Sequence, residues 1–214
     1  MSCQSYSGLS NGWYKIITKD DNKVKVYCHF ESDRIWTLVM SYSLEFNEHY
    51  KNSPYFTNSP RNEMIETWED HRLSLNSMKT IKEDGNTLWC ITCSYGNNGW
   101  NTTDIVIAKH KNAPIMKKDM PFPMCLNVDF INIRGNFCRN CSVPFWQSKD
   151  FIFHTDSENS KDYCEKKRIF DPMKCDDGSG GEDNFGFYNC RNRQHRCSSS
   201  NNATTQLWFG GKIK

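Results

Sequence analysis

Eleven cysteines in 214 residues are the side chains with the most chemistry to offer, and four of them have a spacing that matters. Cys90/Cys93 and Cys138/Cys141 are both C-x-x-C pairs, and four such thiolates can close a tetrahedral zinc site. A C-x-x-C at a helix N-terminus would instead be a redox pair with a lowered thiol pKa. Neither suits the segment 87–95, which reads as a strand. Alternation sends residues three apart to opposite faces, so Cys90 and Cys93 would diverge. The second pair encloses Asn140, the acceptor of an Asn-x-Ser sequon, and a glycan sits badly inside a zinc knuckle. Disulfides that give the members of each pair separate partners fit better, with a zinc- or thiol-based intracellular module as the remote alternative. A chain so rich in cysteine belongs to an oxidising compartment. Eleven is odd, so one thiol is left over. It is expected in the second half, where six of the eleven lie between positions 138 and 197. Such a thiol is free or joins another chain, which points to a disulfide-linked or non-covalent homo-oligomer.

The remaining chemistry points to recognition. There is no G-x-S-x-G, H-E-x-x-H or G-x-x-x-x-G-K-[ST], and the six histidines are scattered, so no enzyme is expected. The loop around 176–184 could gather oxygen ligands for calcium from Asp176, Asp177, Glu182, Asp183 and Asn184. It lacks the fixed spacing of an EF-hand, and a solvated loop explains the same composition. Of seven tryptophans, Trp100 (behind Asn97-Asn98-Gly99) and Trp146 (before Gln147) are expected to be exposed and to stack on sugar rings. Sequons at Asn101, Asn140 and Asn202 are candidate N-glycosylation sites.

Composition narrows the setting. With 37% hydrophobic and 24% charged residues the chain can bury a core, so disorder is excluded. Twenty-seven basic against 25 acidic residues leave a formal charge of +2, which gives no bulk attraction to nucleic acid. No run of 18 apolar residues exists for a transmembrane helix. The start, Met1-Ser2-Cys3-Gln4, has no leader-like pattern, which reads as a cytosolic protein or as a mature or excised domain. The cysteines decide for a secreted, extracellular location.

These groups need elements to hold them. Trp13–Thr18, Val24–Phe30 and Trp36–Leu44 read as three strands of an N-terminal β unit, with Val24, Val26, Cys28 and Phe30 on one face. The Asn-, Ser- and Pro-rich stretch from Phe46 to Asn62 reads as a surface connection. Ile65, Trp68, Arg72, Leu75 and Met78 recur at helical spacing, so a helix is expected over Met64–Met78, although 72–75 also suits a short strand. Segments 87–95, 104–108 and 126–130 read as further strands, and the chain beyond Gly135 as loops stapled by cysteines. The expectation is a single α+β domain over 1–214, with a β subdomain at 1–45, a central sheet and helix at 46–135, and a loop-rich ligand-binding part at 136–214.

Several motifs, in order and spacing, resemble the fibrinogen-related domain. They are Cys3, Ser7-Gly8, Gly12-Trp13-Tyr14-Lys15-Ile16, Val26-Tyr27-Cys28 and Trp36-Thr37-Leu38-Val39. Trp68–Leu75, Trp89–Tyr95, Glu182–Gly186 and Thr204–Gly210 resemble invertebrate-type members. The resemblance implies a fibrinogen C-terminal-like fold, secretion, and a bridge between Cys3 and Cys28. A loop of that size would contribute about 3 kcal/mol in the chain-entropy model. The expected function is a non-catalytic, lectin-like domain that binds a glycan or another extracellular ligand, in innate recognition or cell adhesion; the family's pocket is not carried over. The alternative is a structural matrix protein acting through protein contacts. Two family features are missing: Asp-x-Asp followed by Asn-Cys-Ala, which carries calcium, and the Gly-Trp-Trp that lines the family's pocket.

Overall fold

Lys23–Phe30 has the plainest two-residue period in the chain, and it forms strand β2 with Val24, Val26 and Cys28 buried on one side. The computed structural model describes residues 1–19, 21–100, 103–118, 124–155, 164, 175–178 and 184–213. Strand β1 (Gly12–Ile17) precedes β2, and β3 (Arg34–Ser43) follows it. After a one-turn helix α1 (Asn47–Tyr50) come β4 (Asp70–Arg72), α2 (Leu75–Glu83) and β5 (Leu88–Cys93). Then follow the short α3 (Tyr95–Asn98), β6 (Ile105–Lys109), β7 (Met124–Ile133), β8 (Asn136–Phe145) and β9 (Thr204–Lys212). All nine strands join one antiparallel sheet in the order β1-β2-β3-β9-β5-β6-β7-β8, with β4 on the free part of β3's edge. The three parts expected from the sequence thus contribute to a single sheet, a mostly antiparallel, disulfide-rich α+β arrangement.

The sheet's two faces differ. One carries Val26, Val39, Phe209, Trp89, Ile91 and Val106 and is covered by α2, by Tyr50 of α1 and by loop residues such as Tyr55 and Phe153. A bulge at Val39 in the β3–β9 register turns both Val39 and Met40 into this packed layer. The other face carries Trp36, Leu38, Cys90 and Trp208.

Several expectations are corrected. No helix spans Met64–Met78. Met64 and Ile65 are exposed, Trp68 packs on the second face, and Leu73 and Met78 enter the first layer, so the helical spacing served two different layers. Helix α2 starts later, where Ser74 Oγ accepts from the Ser77 N–H at 3.2 Å. The stretch 46–62 is no mere surface connection. Tyr50 and Tyr55 are fully buried, and the buried Arg72 guanidinium donates to the carbonyls of Ser53, Pro54 and Thr57. Arg61, Tyr50 and Asn62 all donate to the Asp70 carboxylate, tying β4 to the same stretch. Beyond Gly135 lies a ten-residue strand, β8. The two-residue loop Arg134-Gly135 has positive φ at both positions, which is the type I′ turn that matches strand twist.

The cysteines form Cys3–Cys28, Cys93–Cys197, Cys125–Cys164, Cys138–Cys141 and Cys175–Cys190. Cys90 and Cys93 do diverge to opposite faces. Cys138 and Cys141, expected to find separate partners, bond to each other. Asn140 has φ 49°, and this left-handed residue breaks the alternation, leaving Arg139 and Asn140 exposed between two buried cysteines. The leftover thiol is Cys90, in the first half and 0% exposed, and burial pushes its pKa well up. It therefore supplies no link to a second chain.

Two outcomes follow from this arrangement. The native, non-reduced protein should show no thiol to an alkylating reagent, and the denatured, non-reduced protein one, seen by intact mass. More than one would overturn the pairing. A Cβ at Gly210 would run into the Trp36 ring and sit 2.8 Å from the Ile35 carbonyl oxygen. Gly210→Ala should therefore lower stability by about 1–3 kcal/mol in denaturant unfolding.

Candidate functional site: an aromatic sheet face

The second face is built by register. Leu38 pairs with Trp208, Trp208 with Cys90, Cys90 with Ile107, and Ile107 with Phe130, which makes one row across five strands. A second row pairs Trp13 with Tyr27, and His29 pairs with Trp36 beside it. Directly opposite side chains in an antiparallel sheet touch, so the strands lay down a continuous apolar floor in which Trp36 and Trp208 are the large rings. Three further rings reach over it from connections. Trp68, just before β4, lies 5.4 Å from Trp13 and 4.9 Å from Tyr27 between ring centroids. Tyr95 begins α3 and packs 4.9 Å from Trp208. Trp100 stacks on His29 at 4.6 Å and 18° and leans on Trp36 at 5.3 Å.

Polar tips are satisfied at the floor. Trp208 Nε1 donates to Thr92 Oγ1 (2.9 Å), Trp36 Nε1 to Glu31 (2.6 Å), and Tyr95 Oη lies 2.8 Å from His29 Nδ1. Burial pushes His29 down to about 4, so a neutral imidazole faces Trp100 at neutral pH. Trp36 and Trp208 are fully buried, whereas Trp13, Tyr27, Trp68 and Trp100 are half-buried and form the outer rim. Flat rings with apolar faces and accessible edges can stack on sugar rings and leave their hydroxyls to polar neighbours.

The structure separates the residues singled out from the sequence. Trp100 is at the site, although it is a packed rim residue rather than a free ring. Trp146, expected to be exposed, is 3% exposed and stacks on His154. Its polar neighbour misled: Gln147 is also buried, accepting from the Tyr55 N–H and donating to the Ile115 carbonyl. Trp13, Tyr27 and Trp68 were missed. The period of β2 does place Tyr27 and His29 opposite Val24, Val26 and Cys28, but nothing local shows that face to be aromatic across the sheet.

The acidic loop lies elsewhere. Asp176 accepts from Arg191 Nε and the Arg193 N–H, which hold its carboxyl below the usual range. Asn184 is fully buried, and its Oδ1 pairs with His195 Nε2. Asp177 is exposed, and Glu182 and Asp183 lie outside the described residues. Among the described residues no cluster of three His, Cys, Asp or Glu could hold a metal ion. The sequon residues Asn140 and Asn202 are exposed, and Asn101 lies outside the described residues.

Two fully buried histidines give the fold a pH dependence. Burial pushes His71 down to about 4, against the Asn62 backbone and Asp70, and burial with Arg134 pushes His195 down to about 3. The unfolded imidazole binds its proton near 6.5, so below that pH the unfolded chain takes up more protons. Stability should be full above about pH 6.5 and fall toward pH 4, by up to about 1.4 kcal/mol per pH unit for each ring. Urea midpoints measured across that window test this, and an unchanged midpoint would contradict it.

The chain matches no protein-family model and no curated protein.

Proposed function

We propose that this protein is a secreted, non-catalytic recognition domain of the fibrinogen-related type, which binds glycans on its aromatic sheet face. The observation that carries the reading is the contiguous rim of half-buried rings, Trp13, Tyr27, Trp68 and Trp100, laid over a fully buried aromatic floor. Four large rings that each keep part of their surface in water on one face form the kind of patch that a partner covers. Indole and phenol rings offer stacking area with few rotamers to order, which suits saccharides better than a flexible aliphatic patch would.

The setting supports it. Five disulfides place the chain in an oxidising compartment, since such bridges do not persist in a reducing cytosol. The bridge between Cys3 and Cys28 is the one that the family resemblance implies. Exposed Asn140 and Asn202 leave room for N-glycans on a secreted protein. No helix among the described residues is long and apolar enough to cross a membrane.

A glycan array probed with the intact protein, with and without a chelator, tests the reading. Saturable binding to neutral glycans is expected, and Trp68→Ala should weaken it by about tenfold, the scale of one recognition hot spot. Thermal unfolding of the variant checks that the floor remains intact. A blank array, with a protein partner retained by the same face, would favour the matrix-adhesion alternative.

A further inference from the structure

The opposite side of the molecule has a different character. Where β5 begins and β6 ends, a cavity of about 540 Å³ is lined by Lys82, Asn86, Thr87, Lys109, His110 and Lys111. A second cavity of about 230 Å³ shares Lys82 and adds Lys79, Met116 and Lys117. Five lysines thus border two adjoining hollows in a chain whose formal charge is only +2. The acids nearby are engaged elsewhere. Glu83 pairs with Lys19 at 2.7 Å, and Asp84 accepts from the Ser2 hydroxyl at 2.8 Å. Asp129 pairs with Lys109 at 3.4 Å; Lys79, Lys82, Lys111 and Lys117 have no described acid within ion-pair distance, although Glu83, held by Lys19, also feels the charges of Lys82 and Lys79.

Two buried polar side chains in the wall have unused capacity. Asn86, 1% exposed, donates from Nδ2 to the Ile81 carbonyl at 2.7 Å, while its Oδ1 has no partner among the described residues. His110, 6% exposed, packs edge-on against Phe209 at 4.7 Å. Neither of its ring nitrogens makes a well-aligned hydrogen bond, the Leu88 backbone being a polar neighbour only. Buried polar groups left without partners are costly, so a ligand that supplies partners gains by entering. Phe209 belongs to the packed layer, which places this cavity on the face away from Trp208 and the aromatic rim.

We propose that this lysine-bordered cavity binds a sulfated polysaccharide. The lysines would take successive sulfates, and sugar hydroxyls would reach Asn86 Oδ1 and the His110 ring. One small anion would satisfy neither the spread of charge over two hollows nor the two buried groups. A linear polymer with repeated charges and hydroxyls between them satisfies both. The oxidising setting favours an extracellular polyanion over a nucleic acid. The proposal rests on the secreted placement given above but not on the aromatic face.

Heparin immobilised on a sensor surface, with the intact protein in solution, tests it. Affinity should fall by on the order of tenfold or more between 50 and 200 mM salt, as counterions return to the polymer. The variant Lys79→Glu/Lys111→Glu, both exposed lysines, should lose about tenfold or more, because each removes a polymer charge contact. Lys15→Glu/Lys149→Glu makes the same charge change at exposed positions elsewhere and should stay within about twofold, its charges being screened from the cavity. Desulfated heparin should bind weakly, and a heparin tetrasaccharide should shift the His110 ring resonances in the wild type but not in the cavity variant. Thermal unfolding confirms that each variant is folded. Trp68→Ala should leave heparin binding intact, which separates failure of this site from failure of the aromatic face. No heparin binding, equal loss in the two lysine variants, equal binding to a DNA duplex, or an unmoved His110 would each overturn the proposal.

Discussion

Strand β9 bonds to β3 on one side and β5 on the other, and these two ladders hold the halves of the sheet together. Without it, β1–β4 and β5–β8 would be two small sheets, each with an exposed central edge. The insertion demands closeness that only glycine allows: Gly210 lies against the Trp36 ring, and Gly211 against the Gly85 carbonyl. It also comes last in the chain, so the ladder to β3 closes across almost the whole sequence. The Cys93–Cys197 bridge shortens that search. It joins the end of β5 to the segment just before β9, and a loop of its separation is worth about 4.7 kcal/mol in the chain-entropy picture.

The same insertion produces the candidate site. Phe209 and Leu207 point into the packed layer, and Trp208 between them faces the other way, where it becomes the centre of the aromatic floor. Floor and rim then divide the work. Buried rings with satisfied indole N–H groups make a rigid base, and the rim rings keep one side toward solvent. Rigid aromatic surface loses little entropy when it binds, which is the physical advantage such a face offers over a mobile loop. On the other side, helix α2 and the 110–118 segment cover the packed layer and bring lysines together at its edge. One sheet thus carries an apolar surface and a basic one, back to back.

What could be read along the chain followed the reach of each signal. Strands β1 to β3 and β5 to β7 were legible because one or both of their faces meet a core and the period shows it. Trp68 and Met78 deceived because each served a different layer, and a one-dimensional period cannot tell one apolar environment from two. Trp146 deceived because Gln147, polar by composition, is buried with both amide ends bonded. The Cys138–Cys141 bridge was hidden by Asn140, whose left-handed backbone cancels the alternation that separates residues three apart. Strand β9 was hidden by its own centrality. It is buried on both faces and carries two glycines next to its last residue, so it shows neither alternation nor the look of a strand.

The sequence by itself pointed to an oxidising setting, the strand-rich class and the odd thiol, because counts of cysteine and local two-residue periods need no partner to be read. It also placed Cys90 and Cys93 on opposite faces by the pleat alone. Only the tertiary structure decided which thiol stays free, which tryptophans share a surface, and that lysines 79, 82, 109, 111 and 117 border two hollows, one of them lined by buried His110. Those facts depend on which strands lie side by side. That order is set by long-range packing, above all by where the last strand inserts, and no local pattern encodes it.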